Sequence, residues 1–174
     1  MVQLRVPLSF DPIDRAGQLW EKNWPDEEPE VYSSMRAITS IMRAQQVLQR
    51  KLDGLLRPWG INFSRFEALV LLTHSSSGAL PLSVLGERLQ VHATSVTNVV
   101  DRLEAAGLVR REPNPKDGRG VLATITEQGR KVTAAATRVL NDAQFGLSSL
   151  SADQQQDIFG ILRKLRVNAG DFLD

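Results

Sequence analysis

The stretch HATSVTNVVDRLEAAGLVRREPNPKDGRGVLATITEQG, residues 92–129, changes its hydrophobic period once along its length. Its first half places Val96, Val100 and Leu103 on one helical face, and Gly107 is the residue type that most often ends a helix in the left-handed conformation. Its second half has two short β-prone runs around the turn-forming segment PNPKDG. The stretch therefore predicts an amphipathic helix followed directly by a β-hairpin.

Helices are also predicted upstream of this stretch. A short helix over about 82–89 precedes it, separated by a three-residue break, and the SSSG segment before that helix predicts a loop. The pattern Ser64-x-x-Glu67 is a capping box and predicts a helix that ends near His74. Apolar residues spaced three and four apart predict a further helix over Met35–Leu56, about 30 Å long. A helix of that length on a small domain suggests a partner helix.

Two more helices are predicted downstream. Thr126 is a candidate N-cap for a helix from Glu127 to about Gln144, and Ser151 opens a second capping box before the last helix. The predicted order is four helices, a β-hairpin and two helices. The sequence therefore predicts a mainly α protein with one small β-hairpin.

The first 34 residues differ from the rest in charge. They hold three basic and seven acidic residues, a net charge of −4, so the remainder carries +5 of the total of +1. A basic body is compatible with nucleic-acid binding without identifying it. Two interpretations of this segment stay open: a short helix from Asp11 to Trp24, or a partly ordered acidic arm.

Composition excludes several classes of function. The chain has no cysteine, which excludes disulfides, thiolate metal sites and cysteine nucleophiles. It has no apolar run of eighteen residues and no signal-peptide pattern, so we expect a cytoplasmic protein without membrane contact. Its two histidines share no motif, and neither paired carboxylates nor a phosphate loop is present. We therefore expect no enzyme activity, no metal and no cofactor.

The two helices around the break at 90–92 form a predicted helix-turn-helix. The second helix of this motif can enter the DNA major groove with its N-terminal residues leading. The face opposite the apolar residues carries hydrogen-bonding side chains that suit phosphates and base edges. The candidate DNA contacts on this helix are Thr94, Ser95, Thr97, Asn98 and Arg102. The alternative is an ordinary solvated helix face.

The hairpin adds a second candidate contact. Its tip contains Lys116, Asp117 and Arg119, and Asp117 can hold the guanidinium of Arg119 by a forked hydrogen bond. An arginine held at the end of a ribbon suits a narrow, electronegative minor groove. The alternative is a charged turn that only keeps the loop soluble. A hairpin directly after a helix-turn-helix favours the interpretation as a DNA-binding wing.

The combined pattern resembles the winged helix-turn-helix core of the MarR family of transcriptional regulators. The residues that carry the resemblance are T-x-x-x-D-R-L-E-x-x-G-L-V from Thr97 to Val109, D-x-R at Asp117 and Arg119, and T-x-x-G at Thr126. In element order it covers about residues 35–168, and it is strongest over 82–130. The resemblance implies a homodimer on a pseudo-palindromic operator, whose half-sites lie about 34 Å apart.

The resemblance also implies how the chain is organised into domains. Residues 31–62 and 127–174 would form a helical dimerisation region, in which the first helix and the last two interlock with those of the partner. Residues 63–126 would form the winged helix-turn-helix domain. Residues 1–30 would be an N-terminal extension.

A small-molecule effector is a further implication, because family members typically bind ligands in the crevice between the dimerisation helices and the winged domain. The candidate lining residues are Arg43, Trp59, Phe63, Arg65 and His74. Each has a structural alternative; Trp59 after Pro58 is also a natural core anchor, and the helix dipole favours His74 at a helix C-terminus.

One anion-binding subfamily offers a more specific comparison. Trp20, Glu67 and Arg111 match the residue types that this subfamily uses, but Val99 stands where the subfamily has its second arginine.

The sequence as a whole predicts a DNA-binding regulator, a repressor released by a small aromatic or acidic molecule. The alternative is a winged-helix module that binds protein and has no DNA target, and the salt dependence of DNA binding separates the two.

Overall fold

The computed structural model describes residues 7–115, 117 and 120–173. These residues form seven α-helices and three β-strands, which confirms a mainly helical fold with a small β-sheet. The helices are α1 (Pro12–Asn23), α2 (Pro29–Leu56), α3 (Phe63–His74), α4 (Leu82–Leu89), α5 (Ala93–Ala105), α6 (Glu127–Asp142) and α7 (Ala152–Asn168). The strands are β1 (Ala79–Pro81), β2 (Val109–Pro113) and β3 (Val121–Ile125). Packing divides the chain into two compact units, Met1–Arg50 and Lys51–Asp174.

In the first unit, α1 is an ordered helix, as one of the two sequence interpretations expected. Asp11 caps its N-terminus by accepting a hydrogen bond from the Ile13 amide at 2.8 Å. Arg36 of α2 ties α1 down, because its Nη1 donates to Glu21 Oε1 at 2.6 Å. The rings of Trp20 and Trp24 stack with their centroids 4.6 Å apart.

Helix α2 begins six residues before the predicted start at Met35, so that boundary was wrong. Pro29 lacks an amide hydrogen and has a φ angle already suited to a first helical position, and Glu30 favours the positive end of the helix dipole. The predicted end at Leu56 is confirmed. A single 3₁₀ turn follows and stops at Gly60, whose φ of 67° is left-handed.

The capping box predicted at Ser64 was also wrong. The side chain of Asn62, two residues earlier, accepts a hydrogen bond from the Arg65 amide at 3.1 Å and caps α3. Asp53 supports this start by accepting from the Phe63 amide at 2.8 Å. Asn ranks with Ser among the best N-caps, and here a side chain before the helix also satisfies a free helix amide.

The sheet contains a strand that the sequence did not predict. β1 pairs with β3, and β3 pairs with β2, so the antiparallel strands lie in the order β1-β3-β2. The predicted hairpin is confirmed, and its register places Val109 opposite Ile125 and Pro113 opposite Val121. The third strand anchors the hairpin to the segment that follows α3.

The helix-turn-helix depends on one close approach and one sharp turn. A Cβ at Gly86 of α4 would lie 2.9 Å from Val96 Cγ2, so only glycine lets α4 and α5 pack this closely. Gln90 ends α4 in the left-handed conformation, and His92 caps α5 by accepting from the Thr94 amide at 3.3 Å. Gly107 ends the turn after α5 with a φ of 68°, as predicted.

The caps predicted for the last two helices are confirmed. The Thr126 side chain accepts from the Gly129 amide at 2.9 Å, and Ser151 forms a complete capping box with Gln154. α6 contributes Val132, Ala136 and Leu140 to the core of the second unit. That core is continuous, and its fully buried side chains include Leu56, Leu69, Leu72, Leu85, Val96, Val100 and Leu103.

Candidate nucleic-acid interface

Helix α5 has one buried apolar face and one exposed polar face. Val96, Val100 and Leu103 are between 0 and 1% exposed and hold the helix against the core. The five predicted contact residues on the opposite side are all exposed: Thr94, Ser95, Thr97, Asn98 and Arg102. The hydroxyl-bearing side of the helix is therefore free to meet a ligand.

The hydrogen bonds of these five side chains divide them into two groups. Thr94 Oγ1 lies 3.2 Å from His92 Nδ1, and Thr97 Oγ1 donates to the Ala93 carbonyl at 3.1 Å. Within the described part of the chain, the side-chain polar groups of Ser95, Asn98 and Arg102 make no hydrogen bond or ion pair. These three groups keep their full capacity to bond to bases or phosphates.

The wing tip is a compact turn in its described portion. The Asn114 amide donates to the Gly120 carbonyl at 3.0 Å, and the Gly120 amide donates to the Asp117 carbonyl at 2.8 Å. Asp117 is exposed at this tip. The predicted contacts of Lys116 and Arg119 lie outside the described residues, so the proposed fork between Asp117 and Arg119 stays a prediction.

At the base of the wing, Arg110 and Glu112 form a surface pair. Arg110 Nε donates to Glu112 Oε1 at 2.7 Å, and the Thr124 hydroxyl on β3 donates to Glu112 Oε2 at 2.6 Å. The hydrogen bond from Thr124, followed by that from Arg110, lowers the pKa of Glu112 below its ordinary value. Glu112 therefore stays ionised and links the two strands of the wing.

Arg111, the next residue along β2, bonds instead to α5. Its guanidinium lies 2.5 Å from Glu104 Oε2 and 2.5 Å from Asp101 Oδ1. Sequence comparison matched Arg111 to an anion ligand of one subfamily, but in the structure two carboxylates of its own chain hold it. Glu104 had no assigned role from sequence, since only the folded arrangement brings it to Arg111.

A crevice between α3, α4 and α6 contains two of the five effector candidates. Its volume is about 670 Å³, and Phe63 and His74 both line it. Trp59 is half-buried against the core, and Arg65 Nη1 donates to the Gly60 carbonyl at 3.5 Å. Arg43 lies in the first unit and lines a different cavity there. The structure therefore gathers only part of the predicted effector set.

The other lining residues of this crevice, called here the α3–α6 crevice, combine apolar walls with charged groups. The apolar walls include Phe66, Val70, Leu71, Leu89 and Phe145, and the charged groups are Glu67, Arg88 and Arg130. Within the described residues, none of these three charged side chains forms an ion pair. The Glu67 side chain is partly exposed to solvent. Partial burial nevertheless desolvates its carboxyl group and raises the pKa of that group. Sequence patterns gave no signal for Arg88, Arg130 or Phe145.

The described residues hold neither of two further kinds of feature, a metal site or a membrane-spanning helix. No group of three His, Cys, Asp or Glu side chains is arranged to hold a metal ion among them. No helix among the same residues is both long enough and apolar enough to cross a membrane.

Comparison with known proteins decides the family. A family model described as MarR family matches residues 61–121. The Mycobacterium tuberculosis (strain ATCC 25618 / H37Rv) HTH-type transcriptional repressor Rv2887 is 31% identical over 72% of this chain and 89% of its own length. Sco5413, a MarR family transcriptional regulator from Streptomyces coelicolor, has a crystal structure that is 57% identical over 82% of this chain and 99% of its own, with a TM-score of 0.75. This chain belongs to the MarR family.

Membership in the MarR family makes the chain a transcriptional regulator and not an enzyme. A second structural neighbour is the MarR family regulator Sco3205 from Streptomyces coelicolor, which was crystallised in complex with DNA. It is 28% identical and covers 76% of this chain and 88% of its own, with a TM-score of 0.70. The matched family region runs from α3 to the first residue of β3, so it includes all of α5 and the wing up to Val121.

Proposed function

We propose that this MarR-family chain is a homodimeric repressor that binds a pseudo-palindromic operator and is released by a small-molecule effector. The observation that carries the DNA-binding part is the polar face of α5, where Ser95, Asn98 and Arg102 are exposed beside the wing. Asn pairs well with adenine and Arg with guanine, so this face has the chemistry for reading base edges. A regulator that acts on bacterial-type operators works in the cytoplasm.

Contact with duplex DNA is assigned to five residues of α5 and three of the wing. The proposed contacts are Thr94, Ser95, Thr97, Asn98, Arg102, Lys116, Asp117 and Arg119. The DNA-bound Sco3205 structure and the naming of Rv2887 as a repressor support this role by relationship. The residue ranges proposed for the functions are 63–126 for DNA binding, 31–62 and 127–174 for dimerisation, and 1–30 for an extension.

Helix α7 supports the homodimer. It is 17 residues long, and none of its residues is buried within the chain. Ile158, Phe159, Ile161 and Leu165 are between 41 and 65% exposed. In proteins most helical stability comes from packing an apolar face, and not from the helix by itself. A second copy of the same chain would cover this face and complete the fold of α7.

The α3–α6 crevice is the proposed effector site. Its aromatic walls suit a flat apolar compound, and the guanidiniums of Arg88 and Arg130, which pair with no described carboxylate, suit an acidic group on it. The crevice also contacts α4, the first helix of the helix-turn-helix, so an occupant would act directly on the DNA-binding motif. Phe63 and His74 belong to this site, whereas Arg43, Trp59 and Arg65 remain candidates without a place in it.

Selection from a random-sequence duplex library tests DNA binding. The purified protein should enrich one duplex sequence, and its affinity for that duplex should fall steeply as the salt concentration rises. A salt-independent affinity, or no enrichment, would favour the protein-binding alternative.

Effector release is tested on the selected duplex with a panel of aromatic acids. Ala134 lines the crevice, so Ala134→Trp should fill it and abolish the response to any compound that acts there. Lys131→Trp adds the same side chain to an exposed position of α6 that does not line the crevice, and it should leave the response intact.

A further inference from the structure

The contacts of Arg111 follow one stripe along α5. Its two terminal nitrogens lie 2.5 Å from Glu104 Oε2 and 2.5 Å from Asp101 Oδ1, and Nη2 also donates to the Thr97 carbonyl at 3.4 Å. The backbone amide of Arg111 donates to the other oxygen of Glu104 at 2.9 Å. Thr97, Asp101 and Glu104 are spaced four and three residues apart, which places them on one face of the helix. One strand residue therefore holds nearly two turns of α5.

The neighbouring arginine shows how specific this arrangement is. Arg110 points to the other face of β2, its side chain is 61% exposed, and its ion pair is with Glu112 on the same strand. The side chain of Arg111 is only 25% exposed and bonds across to a different element. The guanidiniums of Arg110 and Arg111 carry the same charge, but only that of Arg111 bonds β2 to another element.

The position of Arg111 along the wing adds to its effect. Val109, at the start of β2, is 2% exposed and fixes the root of the wing in the core. Pro113, at the other end of the strand, is exposed. Arg111 lies halfway between them, so its bonds to α5 extend the attachment of the wing beyond the apolar core.

We propose that Arg111 is a positioning residue, which fixes the wing to α5 and neutralises two carboxylates that would otherwise face DNA. The inference rests on the proposed contact of α5 with duplex DNA. Helix α5 and the wing then approach DNA as one rigid body. When α5 enters the major groove, the wing is already positioned for the adjacent minor groove.

Electrostatics gives the second half of this role. The side chains of Asp101 and Glu104 are 57 and 40% exposed and lie on the helix that approaches the phosphates. Without Arg111, these two negative charges would repel the DNA backbone. The planar guanidinium can bond to both carboxylates at once, whereas the ammonium of lysine is a point charge without this geometry.

Arg111 keeps its charge in this environment. Desolvation lowers the pKa of its guanidinium, but the hydrogen bonds to Glu104 and Asp101 outweigh it and raise the pKa above the ordinary value. The cross-link is therefore not switched by physiological changes of pH.

Two matched variants test the proposal: Arg111→Met and Arg110→Met. Each variant loses one positive charge from β2. A difference between the two variants in affinity for the duplex selected by the wild-type protein therefore reports the bonds that each arginine makes, to α5 for Arg111 and to Glu112 for Arg110. We expect Arg111→Met to bind about tenfold more weakly than Arg110→Met. Arg111→Lys should remain close to Arg111→Met, because it keeps the charge but not the fork. Equal affinities of the two methionine variants would overturn the proposal.

Removing the carboxylates separates positioning from direct contact. Adding Asp101→Asn and Glu104→Gln to Arg111→Met should recover part of the lost affinity, because the uncompensated charges are gone. If Arg111 instead contacts a phosphate, the slope of log affinity against log salt falls by about one in Arg111→Met, and the added changes do not restore that slope. That result would contradict the positioning role.

A measurement without DNA completes the test. Backbone amide exchange at residues 110–112 should become faster in Arg111→Met, while exchange at the core residue Val100 stays unchanged. Unchanged exchange in the wing would refute the attachment to α5. If the wild-type protein selects no duplex, the proposed function fails, and amide exchange still decides whether Arg111 holds the wing. If Arg111→Met unfolds as a whole, Arg111→Lys replaces it in both measurements.

Discussion

Helices α5 and α7 are both amphipathic, but the chain covers the apolar face of only one of them. Val96, Val100 and Leu103 of α5 are almost completely buried, and apart from Ala93 and Ala105 the residues left exposed on that helix are polar. α7 has no buried residue, and Ile161 is 65% exposed. The exposed side of each helix therefore indicates a different kind of partner.

The two exposed faces differ in the free energy of their contact with water. Single exposed apolar residues are common, but a row such as Ile158, Ile161 and Leu165 on one face of a helix indicates a protein interface. An exposed row of hydroxyl and amide groups is stable in water by itself and gains by bonding to another polar molecule. We therefore expect changes in α7 to alter assembly and changes on the polar face of α5 to alter DNA binding only.

The largest effect is expected from charges placed on the apolar side of α7. Ile161→Glu combined with Leu165→Glu would bury unpaired carboxylates in the proposed dimer interface. The dimer should be destabilised by about 4 kcal/mol, a roughly thousandfold increase of its dissociation constant. Sedimentation at a series of protein concentrations measures this constant.

Gln156→Glu provides the control for that measurement, since it adds a charge to an exposed polar position of the same helix. It should leave the dissociation constant nearly unchanged. A wild-type protein that sediments as a monomer would refute the assignment of α7.

The next effect is the loss of a core side chain from α5. Leu103 is fully buried, so Leu103→Ala should lower the free energy of unfolding by about 3 kcal/mol. Asn98→Ala changes the exposed face of the same helix and should alter it by less than about 0.5 kcal/mol. Chemical denaturation of both variants measures the difference, and equal losses would show that the two faces of α5 are not distinct.

A smaller effect, on DNA affinity alone, is expected from the polar face. Asn98→Ala should weaken binding to the selected duplex by about 1–3 kcal/mol and relax the preference at one base pair. Gln156→Ala removes an amide from α7 and should not change affinity. If Asn98→Ala weakens all duplex sequences equally, Asn98 contacts the backbone and does not read a base.

The smallest effect concerns pH and the α3–α6 crevice. Desolvation raises the folded-state pKa of Glu67 above its ordinary value, so the native state loses stability as the pH rises from the unfolded-state pKa to the folded-state pKa. Glu67→Gln should therefore be slightly more stable than the wild type at neutral pH, and the difference should vanish as pH falls through about 4.5. Thermal midpoints across this range measure it, with Glu87→Gln of α4 as the control for removing one charge. A difference that grows on acidification would contradict the assignment.

Local signals in the sequence were enough to predict most elements. Thr126 and Ser151 cap helices through side chains that reach only three residues ahead, and Gly107 adopts the conformation that glycine alone adopts easily. The exposed polar face of α5 also follows from its own period. These features are fixed within one turn of the chain, which is why the sequence predicts them.

Features that depend on distant residues were missed. β1 is three residues long and exists only because it pairs with β3, more than forty positions away. The cap at Asn62 was missed, because the Ser64-x-x-Glu67 pattern placed the start of α3 two residues too late. The bond between Arg111 and Glu104 joins a strand to a helix, so its geometry appears only after the hairpin packs on α5.

The central claim is that two identical chains present their α5 helices to successive major grooves. The sequence enriched from a random duplex library tests it most directly. The account predicts an inverted repeat whose half-site centres lie about 10 base pairs apart. Enrichment of a single unrepeated half-site, or of no sequence at all, would contradict it.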